Sequence, residues 1–244
     1  MRLHSLPSYL YQFRPLAGLR FYLADLCRAI LDPHSRIAYA QWGEDLALQH
    51  LLGTQPGFYV EVGANHPQFF SNVFELYRRG WHGISVEANE SFIRAHRRCR
   101  PRDQIVCAVV SDQEKEVVFT EFKNSLVSSV DSAFVENMQK TFDCAIKRQH
   151  HVQSRTLTSI LDEASCPLRF DLLSIDVEGH DFEVLQSLDF SRYRPRVVVI
   201  EMHNFAISNA AANPICEFMD SRGYDIAGHL ATNSYFRDRT SGVS

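Results

Sequence analysis

The chain has 244 residues, of which 45% are hydrophobic and 22% are charged, and its formal net charge is −4. This length and composition fit one large α/β domain with at most a short appendage, and they exclude wholesale disorder. The negative charge argues against a nucleic-acid binder, and no apolar run approaches the roughly 20 residues of a membrane span. The scattered cysteines form no CxxC pair, as in reduced proteins. We therefore expect a soluble, cytoplasmic protein.

The first 38 residues differ from the rest by an apolar helical stripe. The stripe follows a proline and consists of Leu16, Leu19, Leu23, Leu26 and Ile30. We interpret residues 1–38 as an N-terminal helical appendage that packs on the domain or on a second subunit, which would make a homodimer. Attachment to a membrane surface is the alternative, but few charges lie near the stripe.

Alternating strand and helix signals then favour a parallel sheet covered by helices. The predicted strands are Phe58–Val62, Gly83–Glu87, Gln104–Val110, Phe170–Asp176 and Arg196–Met202. The predicted helices are Asn72–Arg79, Ser91–Arg98, Phe182–Leu188 and Pro214–Arg222. Each strand ends near a polar or acidic residue, as expected where strands deliver side chains to a site.

Two further segments complete a domain that spans residues 39–244. Residues 117–155 are expected to form a small insertion near the site, with a strand and a helix of its own. Residues 224–236, YDIAGHLATNSYF, alternate around a turn-like Thr232-Asn233-Ser234 and predict a closing antiparallel hairpin. The basic run RAHRRCRPR, residues 94–102, is interpreted as a solvated helix end.

The stretch FYVEVGANHP, residues 58–67, predicts a strand that ends in a nucleotide-binding turn. A dinucleotide fingerprint needs three glycines. Only Gly63 is present here, and Asn65 and Pro67 hold the later positions. Their bulk should block a close approach of pyrophosphate, so NAD and a nicotinamide oxidoreductase are disfavoured.

S-adenosylmethionine suits this turn better, because it carries no phosphate. Glu61, at the end of the first strand, would add negative charge near its cationic methionine portion. Glu87, at the end of the second strand, would accept hydrogen bonds from the ribose hydroxyls, as an acidic residue in that place does for NAD. The two carboxylates are expected to face one crevice.

Several blocks of the chain resemble the FkbM-type methyltransferases. The blocks are YAQWGEDLALQHLLG, FYVEVGANHPQFFSNVFELYRRGWHGISVEAN, RTLTSILDEA, FDLLSIDVEGHDFEVLQSL and VVVIEMHN, over residues 39–204. The resemblance implies a class I methyltransferase fold, a doubly wound, mostly parallel seven-stranded sheet, and methyl transfer from S-adenosylmethionine to hydroxyl groups. By position, the implied cofactor-site residues are Glu61, Gly63, Asn65 and Glu87, with the segment Gln41–Asp45 packed over the cofactor.

The chemistry is expected at the ends of the fourth and fifth predicted strands. Methyl transfer to an alcohol requires the hydroxyl to lose its proton. His203 is our preferred general base, since a neutral imidazole is available near pH 7; a structural histidine held by one carbonyl is the alternative. Asp176 would orient the acceptor or the amino group of the cofactor. Glu178 is expected to cap the following helix.

No metal site is predicted. Magnesium on Asp176, Glu178, Glu201 and His203 is possible but not favoured, because the distances between these side chains do not follow from the sequence. The sequence thus indicates an S-adenosylmethionine-dependent methyltransferase that acts on a hydroxyl of a small metabolite, sugar or glycan. The alternative is a protein of this fold that binds the cofactor or a partner without catalysis.

Overall fold

The computed structural model describes residues 38–123, 127–203 and 205–241, with the separate positions 19, 20, 22–24, 26, 27 and 31. Most of the predicted appendage, residues 1–38, therefore lies outside the described residues. The described positions before residue 38 are helical, and Leu19 and Leu23 are exposed. Among the described residues, no helix is long and apolar enough to cross a membrane.

The described strands and helices alternate along most of the chain. The strands are β1 (Phe58–Val62), β2 (His82–Glu87), β3 (Gln104–Cys107), β4 (Glu116–Phe122), β5 (Ser128–Ser129), β6 (Ile146–Gln153), β7 (Arg169–Ile175), β8 (Arg194–Glu201), β9 (Tyr224–Leu230) and β10 (Asn233–Asp238). The helices are α1 (Glu44–Leu52), α2 (Phe74–Arg78), α3 (Glu90–Cys99), α4 (Ser132–Phe142), α5 (Leu157–Glu163), α6 (Asp181–Gln186) and α7 (Pro214–Ser221), with a 3-10 helix at Ile207–Ala212.

The main sheet has seven strands in the order β3-β2-β1-β7-β8-β10-β9. Five neighbouring strands, β3, β2, β1, β7 and β8, are parallel to one another. The strand β10 pairs antiparallel with both β8 and β9. The strand order reverses between β1 and β7, so a crevice opens at their carboxyl ends. The predicted doubly wound sheet of the class I methyltransferase type, closed by an antiparallel hairpin, is confirmed.

The predicted strands of the parallel part all exist, with small shifts at their ends. The third is the least accurate, because the chain leaves the sheet after Cys107 and Val110 forms only an isolated bridge to Arg155. The predicted hairpin turn is also displaced. Asn233 already pairs with Leu230, and the turn is made by Ala231, with a φ of 53°, and Thr232.

Both faces of the central strands of the main sheet are buried, which explains why β1, β2, β7 and β8 read as nearly continuous apolar runs. Val60, Leu173 and Val198 point into one apolar cluster, which also contains residues of α5, α6 and α7. The alternate positions Leu172 and Val197 point into a second cluster with residues of α1 and α2. Helices therefore cover each face, as the doubly wound architecture requires.

The segment after β3 forms a second, three-stranded sheet in the order β5-β4-β6. In the chain, α4 lies between β5 and β6. The sequence indicated one strand and one helix here, fewer strands than are present. The strand β6, IKRQHHVQ, is exposed along most of its length and lacks the apolar signal of a half-buried strand. Its pairing with β4 in an antiparallel register decides its conformation.

Candidate active site

The turn after β1 is held tightly between its two neighbouring strands. The amides of Gly63 and Ala64 donate to the carbonyl oxygen of Val86, at 3.0 and 3.1 Å. Gly63 has a φ of 78°, and a Cβ there would lie 1.8 Å from the carbonyl oxygen of Asp176. Glycine is therefore required both for the left-handed conformation and for the close approach to the end of β7.

A cavity of about 280 Å³ lies at the carboxyl ends of β1, β2 and β7. The predicted site residues that line it are Gln41, Gly63, Asn65, Glu87 and Asp176. The insertion supplies the opposite wall through Phe119 and residues 127–130. The cavity thus lies between the switch point of the main sheet and the small sheet above it.

Glu87 lines the cavity at the end of β2. Its carboxylate accepts hydrogen bonds from the backbone amides of Asn65 and Asn89, each at 2.6 Å. Burial raises the pKa of Glu87 to about 7, and these amide donors oppose the rise. Because each carboxylate oxygen has two lone pairs, both oxygens can still accept a hydrogen bond from a ligand. Next to Glu87, the cavity wall is apolar and includes Ala88, Phe92 and Val109.

The loop after β7 brings two further carboxylates to the cavity, those of Asp176 and Glu178. Burial, reinforced by the neighbouring carboxylates of Glu201 and Glu178, holds the pKa of Asp176 well above its ordinary value. Burial likewise raises the pKa of Glu178 to about 8, again with Glu201 contributing. Glu178 has a φ of 58°, and its carbonyl oxygen accepts a hydrogen bond from Ser129 of the insertion at 2.7 Å.

Asp181, not Glu178, stabilises the start of the helix after β7. Its carboxylate accepts hydrogen bonds from the amides of Val177 and Gly179, at 3.0 and 3.1 Å. The expectation that Glu178 caps this helix is therefore wrong. The left-handed backbone at Glu178 lies before the helix begins, and Asp181 is the first helical residue.

His203 lies beside the cavity instead of lining it. Its Nε2 is 3.0 Å from Oε2 of Glu201, and its ring stacks on Phe134 of α4, with 6.3 Å between the ring centres. The Glu201 carboxylate raises the pKa of His203, and partial burial opposes the rise. One ligand atom each from Glu178, Glu201 and His203 lie within 4.8 Å of one another.

The cavity lies at the switch point of a class I sheet. A match to a family profile identifies the family of the chain. The profile of the Methyltransferase FkbM domain matches residues 61–226, which is more than half of the chain. The chain belongs to this family. Its assignment as a methyltransferase follows from that match together with the fold.

In the comparison with solved structures, the FkbM methyltransferase is similar to a TehB-like SAM-dependent methyltransferase from Corynebacterium glutamicum. The two share 9% sequence identity with a TM-score of 0.42, over 91% of this chain and 99% of the other. The comparison with curated proteins found no match.

Glu61 of the FkbM methyltransferase does not lie where the sequence predicted, against the cofactor cavity. Its carboxylate is buried and forms an ion pair with Nη2 of Arg100 at 2.8 Å, and the hydroxyl of Ser71 donates to it at 3.2 Å. Arg100 also pairs with Asp103 at 2.7 Å. The negative charge of Glu61 is thus compensated behind the turn, and Arg100 is buried although it belongs to the run interpreted as solvated.

Asp45 also lies outside the cavity lining. Its buried carboxylate accepts hydrogen bonds from the amides of Tyr39 and Leu46, at 2.6 and 3.0 Å, and burial raises its pKa. These bonds fix the bend before α1 that places Gln41 at the cavity. Of the two residues named from this segment, Gln41 lines the cavity and Asp45 holds the segment in place.

The apolar wall of the cavity was not predicted residue by residue. Phe92 lies on α3, Val109 follows β3, and Phe119 comes from the insertion. Each is an ordinary core-type side chain, and a sequence contains no signal that separates such residues from those of the core. Only the pairing of distant segments brings them to one cavity.

Proposed function

We propose that this FkbM methyltransferase transfers a methyl group from S-adenosylmethionine to a hydroxyl of a small metabolite, sugar or glycan. The observation that carries the proposal is the cavity itself. It joins the buried Glu87, the bend at Gly63 and the acidic end of β7 at Asp176 in one continuous space. This distribution of groups matches a ligand with a diol, an apolar ring and a cationic end.

Each part of the cofactor has a matching group in the cavity. Glu87 would accept hydrogen bonds from the ribose hydroxyls, as strand-end carboxylates do in related nucleotide folds. The apolar wall with Ala88 and Phe92 would hold the adenine. Asp176 would face the amino group of the methionine portion or orient the acceptor, because a carboxylate buried among like charges gains from a cationic partner. Gln41 would cover the cofactor from the segment before α1.

The bound cofactor would supply an electrophilic methyl group. The acceptor oxygen would form the new bond to the methyl carbon as the carbon–sulfur bond breaks, with the electron pair remaining on sulfur. His203 would take the hydroxyl proton, and Glu201 at 3.0 Å would stabilise the resulting imidazolium. The ring of Phe134, stacked on His203, would help to hold the imidazole at the cavity rim.

The open cavity favours an enzyme over a binding protein without catalysis. A cavity filled by aromatic side chains of the turn or by the insertion would have favoured the second function. Phe70 lines the cavity without filling it, and Phe69 is exposed. All of the cysteines are free, which supports a reducing compartment such as the cytoplasm; fractionation of cells that express the protein would test this location.

Calorimetric titration with S-adenosylmethionine and S-adenosylhomocysteine tests the proposed function, with NAD as the control ligand. We expect micromolar dissociation constants for the first two and no heat of binding for NAD. Hydroxylated sugars and metabolites should then be screened for methyl transfer from labelled cofactor. Absence of binding by both cofactor forms would contradict the proposal and favour a partner-binding function.

A further inference from the structure

We propose that Glu178, Glu201 and His203 form a binding site for one divalent transition-metal ion at the rim of the cavity. Glu178 comes from the loop after β7, whereas Glu201 and His203 come from the end of β8. Adjacent parallel strands therefore bring the three side chains together, and the stacking of Phe134 on His203 holds the imidazole ring from the other side.

The distances between the ligand atoms fit a metal ion. The three atoms lie within 4.8 Å of one another, and metal–ligand bonds of about 2.0–2.4 Å allow two donors on opposite sides to be roughly 4–4.8 Å apart. Nε2 of His203 and Oε2 of Glu201 are 3.0 Å apart. Neighbouring donors on an octahedral ion with bonds of about 2.1 Å have roughly this separation.

A second observation concerns the oxygen of Glu201 at the centre of this group. Oε2 is buried and, among the described residues, has no hydrogen-bond partner, although Nε2 of His203 lies 3.0 Å away. The Glu201 side chain is only 10% exposed, and buried polar atoms in native proteins normally have a partner.

The negative charge around these three residues also favours the binding of a cation. The carboxylates of Asp176 and Asp181 act electrostatically on the same group. Within the described part of the chain, no lysine or arginine forms an ion pair with any of these carboxylates, and His203 is the sole basic partner of Glu201. A divalent ion would compensate more of this negative charge than one imidazolium does.

The donor set favours Mn²⁺, Fe²⁺ or Zn²⁺ over Mg²⁺, because an imidazole nitrogen suits these ions and Mg²⁺ prefers oxygen ligands. This proposal revises the expectation of no metal site. The role of the ion in catalysis rests on the proposed function. The ion would acidify the acceptor hydroxyl, and the hydroxyl proton would leave to water. His203 would then act as a ligand of the ion instead of the general base. Binding of the ion does not depend on that function.

The test uses the full-length, untagged protein after treatment with EDTA and dialysis. Mn²⁺ is titrated alone, and the loss of the free-ion signal in electron paramagnetic resonance reports binding. We expect one Mn²⁺ per chain and an affinity for Mg²⁺ at least tenfold lower. Glu178→Gln, Glu201→Gln and His203→Ala should each weaken Mn²⁺ binding by at least about 10–100-fold. Glu183→Gln is the control, since this half-exposed glutamate lies on α6 outside the group.

Circular dichroism would check that each variant folds, and His203→Ala is the safest of them because its side chain is 43% exposed. Absence of stoichiometric Mn²⁺ binding, or binding unaffected by all three substitutions, would overturn the metal site. Cofactor binding is measured separately on the EDTA-treated protein. Cofactor binding without Mn²⁺ binding would refute the metal site and leave the proposed function intact. Mn²⁺ binding without cofactor binding would refute the proposed function alone.

Discussion

At the scale of single residues, the role of each carboxylate depends on which group compensates its negative charge. Glu61 and Glu87 lie at the ends of neighbouring strands, yet among the described residues the first is paired with Arg100 and the second accepts hydrogen bonds from backbone amides. Glu87 therefore remains available to a ligand in the cavity, and Glu61 does not. This difference decides which of the two we expect to affect cofactor affinity.

Replacing Glu87 by glutamine should weaken the binding of S-adenosylhomocysteine by about 1–3 kcal/mol, the scale of a charge-assisted hydrogen bond. The reason is that the carboxylate lines the cavity and would accept from the ribose hydroxyls. Isothermal titration calorimetry measures the change, with Glu90→Gln as the control because Glu90 is exposed on the next helix. Equal affinities for wild type and Glu87→Gln would remove the ribose assignment.

Cofactor affinity should also depend on pH through Glu87, whose pKa burial raises to about 7. Ribose hydroxyls donate to the ionised carboxylate, so the ligand prefers the deprotonated form. Affinity should be full above this pKa and fall as the pH drops from about 8 to 6, by up to tenfold per unit. Titrations of S-adenosylhomocysteine at about pH 6, 7 and 8 measure this slope, which should disappear in Glu87→Gln. A slope that persists in the variant would assign it to another group.

At the scale of elements, two contacts hold the turn after β1. The first is the close approach of Gly63 to the end of β7, and the second is the buried ion pair that joins β1 to the end of α3. Both act on backbone segments that form the cavity, so changes there should affect stability and cofactor binding together.

Gly63→Ala should destabilise the fold more than Gly53→Ala. Both glycines have a positive φ, 78° and 81°, but a Cβ at Gly53 would meet nothing within 4 Å, whereas one at Gly63 would collide with the Asp176 carbonyl. With a ψ of −163°, Gly53 lies in a backbone region that is almost restricted to glycine, so the control should lose only this conformational cost of about 1–3 kcal/mol. Urea unfolding of both variants gives the comparison. Equal losses would mean that the turn relaxes easily away from β7.

Arg100→Met should lower the free energy of unfolding by about 3–5 kcal/mol, because it leaves the buried carboxylates of Glu61 and Asp103 without their cation. Arg98→Met, at an exposed position near the end of α3, should change it by no more than about 0.5 kcal/mol. Chemical denaturation of the two variants measures the difference. A loss below about 1 kcal/mol in Arg100→Met would show that water reaches these carboxylates.

At the scale of the whole molecule, the small sheet is a separable wall of the cavity. None of the described residues between 112 and 154 belongs to either of the two main apolar clusters. The ends of this segment lie close together, since Val110 and Arg155 form a bridge and the amide of Ser111 donates to the Arg155 carbonyl at 2.9 Å. The main sheet should therefore fold without it.

Replacing residues 112–154 by a short glycine–serine linker should leave a cooperatively unfolding protein that binds S-adenosylhomocysteine at least about tenfold more weakly. The loss corresponds to the apolar contacts of Phe119 and residues 127–130, which form the opposite wall of the cavity. Circular dichroism would measure folding and calorimetry the affinity. A shortened protein with full affinity would show that this wall contributes nothing to the cofactor site.

The sequence by itself determined the parallel strands of the main sheet, four of the helices and the bend at Gly63, because apolar periodicity and backbone sterics are local properties. It also indicated which strand ends carry acids. It missed the exposed strand β6, whose polar sequence becomes a strand only by pairing with β4. Neighbours far apart in the chain decide such a segment.

Only the tertiary structure decided what each acidic residue does. Arg100 is separated from Glu61 by one strand and two helices in sequence, yet it compensates Glu61 and leaves Glu87 free. Glu178 and His203 meet because β7 and β8 are adjacent in the sheet. Strand order and side-chain direction set these distances, and electrostatic effects depend on distance and burial. The chain therefore encodes the site's chemical groups locally, whereas its charge balance arises only in the folded sheet.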